Sequence, residues 1–352
     1  MKILVLPGDG IGPEITEATL AVLDRASAKF RLGLEWWMMD IGLVTLKQQG
    51  STLPDSVMEA ARNAPGIILG PVDHLQYPSR AQGGINPSGE LRVKLDLFAN
   101  IRPAKSRMGA GLTGKPVDLV IFRECTEGFY ADRNMVGGSG EFMPTEDLAL
   151  AVRKVTARQC ERIARVAFDW ARKRRKKVTA VHKANVLRIS DGLFLREVRR
   201  VAKDYPDIAL DEKIVDAMAA LLVRDPSSFD CIVTGNMFGD ILSDEASEIS
   251  GSLGLAGSVM AGDDACCAQA QHGSAPDIAG QDKANPTSLI LSAVMLLEWF
   301  AARHRRPEFV RAAQAIEAVI DASLQNSATR TADLGGKLGT KAFGKHVAGL
   351  IG

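Results

Sequence analysis

A chain of 352 residues exceeds what one hydrophobic core usually serves, so two lobes with a cleft between them are expected. Its 46% hydrophobic and 24% charged residues exclude disordered, fibrous and membrane-embedded classes. A formal charge of +1 excludes a long-range field that would draw the whole protein to nucleic acid or anionic lipid, so any anion site is local.

The apolar run at 3–6 is too short for a signal-peptide core and leads into a glycine turn, so it is expected to be a first strand. Gly8, Gly10 and Gly12 follow it, but their spacing is not G-x-G-x-x-G. Pro13 also stands where a pyrophosphate would need an open helix N-terminus, which favours a tight structural turn over a Rossmann site. Pro13 suits a first helical turn, and Ile15, Ala18, Val22 and Ala26 recur on one face of the helix it starts. Buried strands are expected at 66–69, 117–122, 178–181 and 231–234, and their alternation with helical patterns argues α/β.

The glycine-rich stretch 135–141 suits an arm or a turn. Thr156 and Gln159 have capping-box spacing, so a helix is expected from there, with Cys160, Ile163, Ala167 and Trp170 on one stripe. Its end is the basic run 172–177, which complements a helix dipole and is expected to be a charged solvent face, not a nucleic-acid contact. Among the cysteines, Cys125, Cys160, Cys231, Cys266 and Cys267, no pair has metal or redox spacing, which suits a reducing cytoplasm. The adjacent Cys266 and Cys267 are expected to be incidental loop residues. No apolar run reaches membrane-spanning length uninterrupted.

Asp240 and Asp244 are four apart after a buried strand. On a helix they share one face, as ligands of Mg²⁺ or Mn²⁺ or as acids favoured near a helix N-terminus, and the spacing leaves both readings open. Arg92, Arg102 and Arg123 have the forks for a dicarboxylate, although spacing alone favours scattered surface arginines. Lys183 ends an expected strand, where a desolvated lysine can act as a base, and His182 beside it is expected to be structural.

Segments 8–14, 95–103, 126–130, 180–194, 234–244, 272–286 and 333–336 resemble, in order, the β-decarboxylating dehydrogenase family. That family includes isopropylmalate, isocitrate, homoisocitrate and tartrate/D-malate dehydrogenases. The resemblance implies an isopropylmalate dehydrogenase-like two-lobe α/β/α fold with a twisted mixed sheet, not a Rossmann fold. Residues 1–99 and 250–352 would form a cofactor-binding lobe, and 100–249 a metal- and substrate-binding lobe that makes a homodimer through the 135–141 arm.

By the same resemblance Arg92, Arg102, Arg123, Asn185, Asn86 and Ser88 bind substrate, Tyr130 and Lys183 transfer protons, and Asp216, Asp240 and Asp244 bind Mg²⁺ or Mn²⁺. Lys183, Asn185 and Asp216 would complete the neighbouring subunit's site, so a monomer would be inactive. Ile11, His272, Gly273, Ser274, Ala275, Asp277, Ile278 and Asn285 would hold NAD. Asp277 accepts bonds from a free ribose hydroxyl and repels a 2′-phosphate. Asn285, followed by Pro286, would also cap the helix carrying Leu289, Ala293, Val294 and Leu297.

The implied reaction is NAD-dependent oxidation of a 3-substituted (R)-malate to a 2-oxo acid and CO₂. The metal lowers the hydroxyl pKa, Lys183 takes the proton, and Tyr130 protonates C3 after decarboxylation. The loop 82–90 lacks the leucines of isopropylmalate enzymes and carries Asn86 and Ser88 in reverse of the isocitrate order, whereas 233–236 and 333–336 look more like isopropylmalate enzymes. The substituent is therefore open, a small or polar one standing slightly ahead, with tartrate/D-malate or homoisocitrate as alternatives within the class. Cys125 and Gln269 also depart from common family residues. The alternative is a non-catalytic regulatory subunit of an NAD-linked isocitrate dehydrogenase, which the retained catalytic residues disfavour. Neither a nucleic acid nor a membrane is expected as a partner.

Overall fold

The computed structural model describes residues 1–108, 111–130, 134, 135 and 137–351. The chain forms two compact units, Met1–Leu95 with Leu253–Gly352, and Asp96–Ser252. In chain order the first unit opens with β1 (Lys2–Leu6), α1 (Gly12–Phe30), β2 (Glu35–Met38), α2 (Leu43–Gln49), α3 (Asp55–Asn63), β3 (Gly66–Leu69) and α4 (Pro87–Lys94). The second begins with β4 (Ala99–Lys105), β5 (Asp118–Glu124), β6 (Glu141–Thr145), β7 (Leu148–Ala151), α5 (Ala157–Ala171) and β8 (Lys177–His182). It continues with α6 (Ser190–Ala202), β9 (Ala209–Ile214), α7 (Val215–Arg224), β10 (Cys231–Thr234) and α8 (Asn236–Ser250). The chain then returns to the first unit for β11 (Val259–Ala261), β12 (Cys266–Gln269), α9 (Thr287–His304), α10 (Pro307–Gln325) and α11 (Thr340–Ile351).

Strands of the first unit lie in the order β2-β1-β3-β12-β11, parallel except for β11. Those of the second run β4-β5-β10-β8-β9, with β4 alone antiparallel. Both arrangements are mixed and open, and neither follows the 3-2-1-4-5-6 order of a Rossmann sheet. The apolar runs at 3–6, 66–69 and 231–234 are fully buried, as strands covered on both faces require.

Local signals account for the helices that flank them. Proline stands in the first turn of α1, and Ile15, Ala18, Val22 and Ala26 are all buried. Thr156 caps α5, its hydroxyl accepting from the Gln159 amide, and Cys160, Ile163 and Ala167 turn inward. The basic run after α5 is an ion-paired surface: Arg174 lies 2.7 Å from both Asp118 and Asp230, and Lys176 lies 3.1 Å from Asp207.

Cys266 and Cys267 are not loop residues. They form half of β12 and are fully buried. Burial pushes the Cys267 thiol up to about 12, so it stays protonated and unreactive at neutral pH. Position 136 of the 135–141 arm lies outside the described residues. The stretch leads into a hairpin, β6 paired with β7, in which every residue is exposed.

Candidate active site

The register of β4 on β5 brings the site of the second unit together. Asn100 stands opposite Arg123, Arg102 opposite Ile121 and Ala104 opposite Leu119. Residues opposed across an antiparallel pair share a face, as do alternate residues along a strand. Ala104, Leu119 and Ile121 pack with Met218 and Leu222 of α7 and with Leu242 and Ala246 of α8. Arg102 and Arg123 therefore rise from that same face, against α8. Gly239 lets the helix approach, since a Cβ on it would lie 2.7 Å from the Arg123 Cβ.

Asp240 then sits where three donors converge. It accepts from Arg123 Nη1, lies 3.0 Å from Arg102 Nη1 and accepts from the Tyr130 hydroxyl at 2.5 Å. Asp244, one helical turn on, lies 3.3 Å from Arg102 Nη1. Three residues the sequence did not single out hold the guanidinium groups: Arg102 donates to Asn100 and Ser243 at 2.8 Å, and Arg123 Nε donates to Asn236 at 2.8 Å. Arg102 and Arg123 are only 7% and 1% exposed, so they are not surface arginines. Burial, and behind it the Arg123 charge, pulls Arg102 below the ordinary guanidinium range, opposed by Asp240 and Asp244. A guanidinium nevertheless keeps its proton in a protein. The Asp240 and Asp244 side chains remain 34% and 52% exposed.

Lys183 follows the end of β8, and its ammonium pairs with Asp216 in the first turn of α7. The bond from Lys183 draws the Asp216 carboxyl below its usual range. Asn185 lies exposed in the turn that follows. His182 Nδ1 accepts from the Ala184 amide at 3.0 Å and burial lowers its pKa, the structural role expected of it. Among the described residues no group of three Asp, Glu, His or Cys side chains could hold a metal, so one chain does not gather Asp216 with Asp240 and Asp244.

In the first unit Ser88 donates to Gln269 Oε1 at 2.8 Å. Asn86 caps α4 by accepting from the Gly89 amide at 3.2 Å. Arg92, on the same helix, places Nε against Met260 Sδ. The glycine turn after β1 and the loop 272–278 are fastened together: Ile11 N donates to Ser274 O at 2.9 Å. Gly10 has φ +58°, and a Cβ there would strike Ser274 O at 2.0 Å. Ala275 takes a left-handed φ of 38°, which starts a short 3₁₀ turn at Pro276–Ile278 and leaves Asp277 exposed. Gly273 is open on its Cα face. His272 Nδ1 lies 3.0 Å from Gly273 O, while its Nε2 is buried with no hydrogen-bond partner among the described residues. Asn285 accepts from the Thr287 amide at 3.0 Å, at the start of α9, and donates to Asp333 at 3.0 Å.

Open mixed sheets whose strands lift two buried arginines against helix carboxylates make this an α/β protein with a charged cluster built into its second unit. The sequence profile of the isocitrate/isopropylmalate dehydrogenase family matches residues 2–347, and the chain belongs to that family of oxidoreductases. It is 39% identical over 351 residues to a 3-isopropylmalate dehydrogenase of Archaeoglobus fulgidus, covering 99% of each chain. It is 39% identical over 363 residues to a homoisocitrate dehydrogenase of Methanocaldococcus jannaschii, covering 100% of this chain and 98% of that one. A crystal structure of isocitrate dehydrogenase from Methylococcus capsulatus superimposes with a TM-score of 0.88 at 37% identity, covering 99% of each chain. Among the described residues no helix is long and apolar enough to cross a membrane.

Proposed function

We propose that the chain is an NAD-dependent dehydrogenase that oxidises and decarboxylates a 3-substituted (R)-malate with Mg²⁺ or Mn²⁺. The observation that carries this reading is Asp240, a part-exposed carboxylate on which Arg102, Arg123 and Tyr130 converge. Two buried guanidinium groups there meet two part-exposed carboxylates one helical turn apart. A malate adds at least two negative charges, and a divalent cation on the part-exposed carboxylates of Asp240 and Asp244 would offset them.

Bound there, the metal supplies acidification of the substrate hydroxyl and NAD supplies the hydride acceptor. Arg102 and Arg123 orient the substrate carboxylates. Lys183 removes the C2 hydroxyl proton, and Tyr130 returns a proton to C3 once CO₂ has left. Lys183 and Asp216 belong to the neighbouring subunit's site in this reading. Two features support it: they pair apart from Asp240 and Asp244 within one chain, and the β6–β7 hairpin exposes Phe142, Met143, Leu148 and Leu150 to a partner. The residues of the 272–285 loop suit a dinucleotide, because the buried His272 Nε2 needs a hydrogen-bond partner and the exposed Asp277 carboxylate favours a free ribose hydroxyl. The loop 82–90 lacks the leucines of isopropylmalate enzymes and carries Asn86 and Ser88 instead, which favours a small or polar C3 substituent over isopropyl.

Initial-rate assays with isopropylmalate, isocitrate, homoisocitrate, D-malate and tartrate, with NAD or NADP and Mn²⁺, test the reading. NADH formation from at least one acid, lost with chelator and reduced about 10²–10⁴-fold in Lys183→Met, is expected. Absence of turnover with every acid overturns it in favour of a regulatory subunit.

A further inference from the structure

Lys183 is the first residue beyond the β8 ladder; its carbonyl accepts from the Val186 and Leu187 amides, and a side chain, not a strand, holds its own amide. Its amide donates to Asp191 Oδ2 at 2.5 Å. Asp191 lies in the first turn of α6 and is only 2% exposed. Its other oxygen lies 2.6 Å from Arg153 Nη2, and Arg153 Nη1 donates to Ser190 Oγ at 2.8 Å. The Arg153 guanidinium also lies over the rings of Phe129 at 5.5 Å and Phe238 at 5.6 Å. Phe129 precedes Tyr130, and Phe238 stands two residues before Asp240. A cavity of about 30 Å³ adjoins the pair, bounded by Glu124, Glu127 and Asn236.

A buried ion pair is a poor source of stability, because desolvating both charges costs about as much as their attraction returns. What this pair provides is a single geometry: a carboxylate locked by a guanidinium, with one oxygen left to hold one amide. We propose that Arg153 and Asp191 are positioning residues that set the place of the Lys183 ammonium, and that Arg153 ties that place to the segments carrying Tyr130 and Asp240. The proposal rests on Lys183 acting as the base. Neither residue touches substrate; both act through the backbone of Lys183 and the two phenylalanines.

The test uses the full chain and two readouts. Hydrogen exchange at the Lys183 amide needs no substrate, and steady-state kinetics with the best acid from the panel reads the consequence. In Asp191→Ala the amide should exchange at least about tenfold faster, as expected when a buried hydrogen bond is lost. In the same variant kcat should fall about 10- to 100-fold, the scale of a displaced catalytic group. KM for acid and NAD should stay within about twofold, because binding contacts are untouched. Asp191→Asn keeps an acceptor and should recover most of the amide protection and part of kcat. If Asp191→Ala does not fold, Arg153→Met, which unlocks the carboxylate, should show the same faster exchange and lowered kcat. Unchanged exchange in folded variants overturns the proposal, as does a rise in KM with kcat intact. A wild-type chain with no turnover overturns the dehydrogenase reading instead, and the exchange measurement still decides whether Asp191 holds Lys183.

Discussion

Gly239 shows how much of the site depends on one missing methyl group. With the Arg123 Cβ 2.7 Å from where a Cβ would stand, Gly239→Ala must push α8 from β5 or tilt the arginine. Overpacking of this kind costs about 1–3 kcal/mol, read as a lowered urea midpoint, and should move Asp240 off its donors with a loss of turnover. The one-turn spacing of Asp240 and Asp244 was legible in the sequence because a helix fixes which residues share a face. The arginine pair was not. Arg102 and Arg123 look scattered until β4 is laid antiparallel on β5, and that register depends on contacts the local sequence does not record. Asn100 carried a weak signal, standing two residues before Arg102 on the same face.

At the scale of elements, legibility followed burial. The helix begun by Thr156 was readable because its cap is chemical: the hydroxyl accepts from Gln159 and also donates to Glu127 at 2.8 Å. Thr156→Ala should therefore destabilise the protein by about 1–2 kcal/mol in chemical denaturation. Strands covered on both faces announced themselves as apolar runs, whereas β2 and β9 lie at the ends of their strand orders and carry Glu35 and Asp211-Glu212-Lys213 among their residues. β12 was missed for another reason: cysteine spacing was weighed for chemistry, although a free cysteine packs as a small hydrophobe. The β6–β7 hairpin offers no inward face to read. If its apolar side chains dock on a second copy, Phe142→Ser with Leu150→Ser should shift sedimentation toward the monomer and abolish turnover together.

For the molecule as a whole, acid is the telling variable. Burial holds both His182 and His272 below the ordinary imidazole pKa of 6.5. The unfolded chain then binds more protons than the folded one between the lowered values and 6.5, so stability is complete above that range and is lost as pH falls through it. Urea midpoints measured at pH 7.5, 6.5 and 5.5 should decline in that order, and His272→Gln should flatten the decline. An unchanged slope in that variant would assign the acid sensitivity elsewhere.

The division of the chain also bears on its synthesis. β3 joins β1 on one side, but on the other its partner is β12, Gly66 aligned with Cys266 and Leu69 with Gln269. A ribosome adding about 5–20 residues per second leaves that apolar edge without its neighbour for roughly 10–40 s. Asp96–Ser252, by contrast, leaves the exit tunnel as one uninterrupted stretch holding all of its own strands. The guest is thus finished before its host, and in those seconds the nascent N-terminal segment is the part that most needs a chaperone.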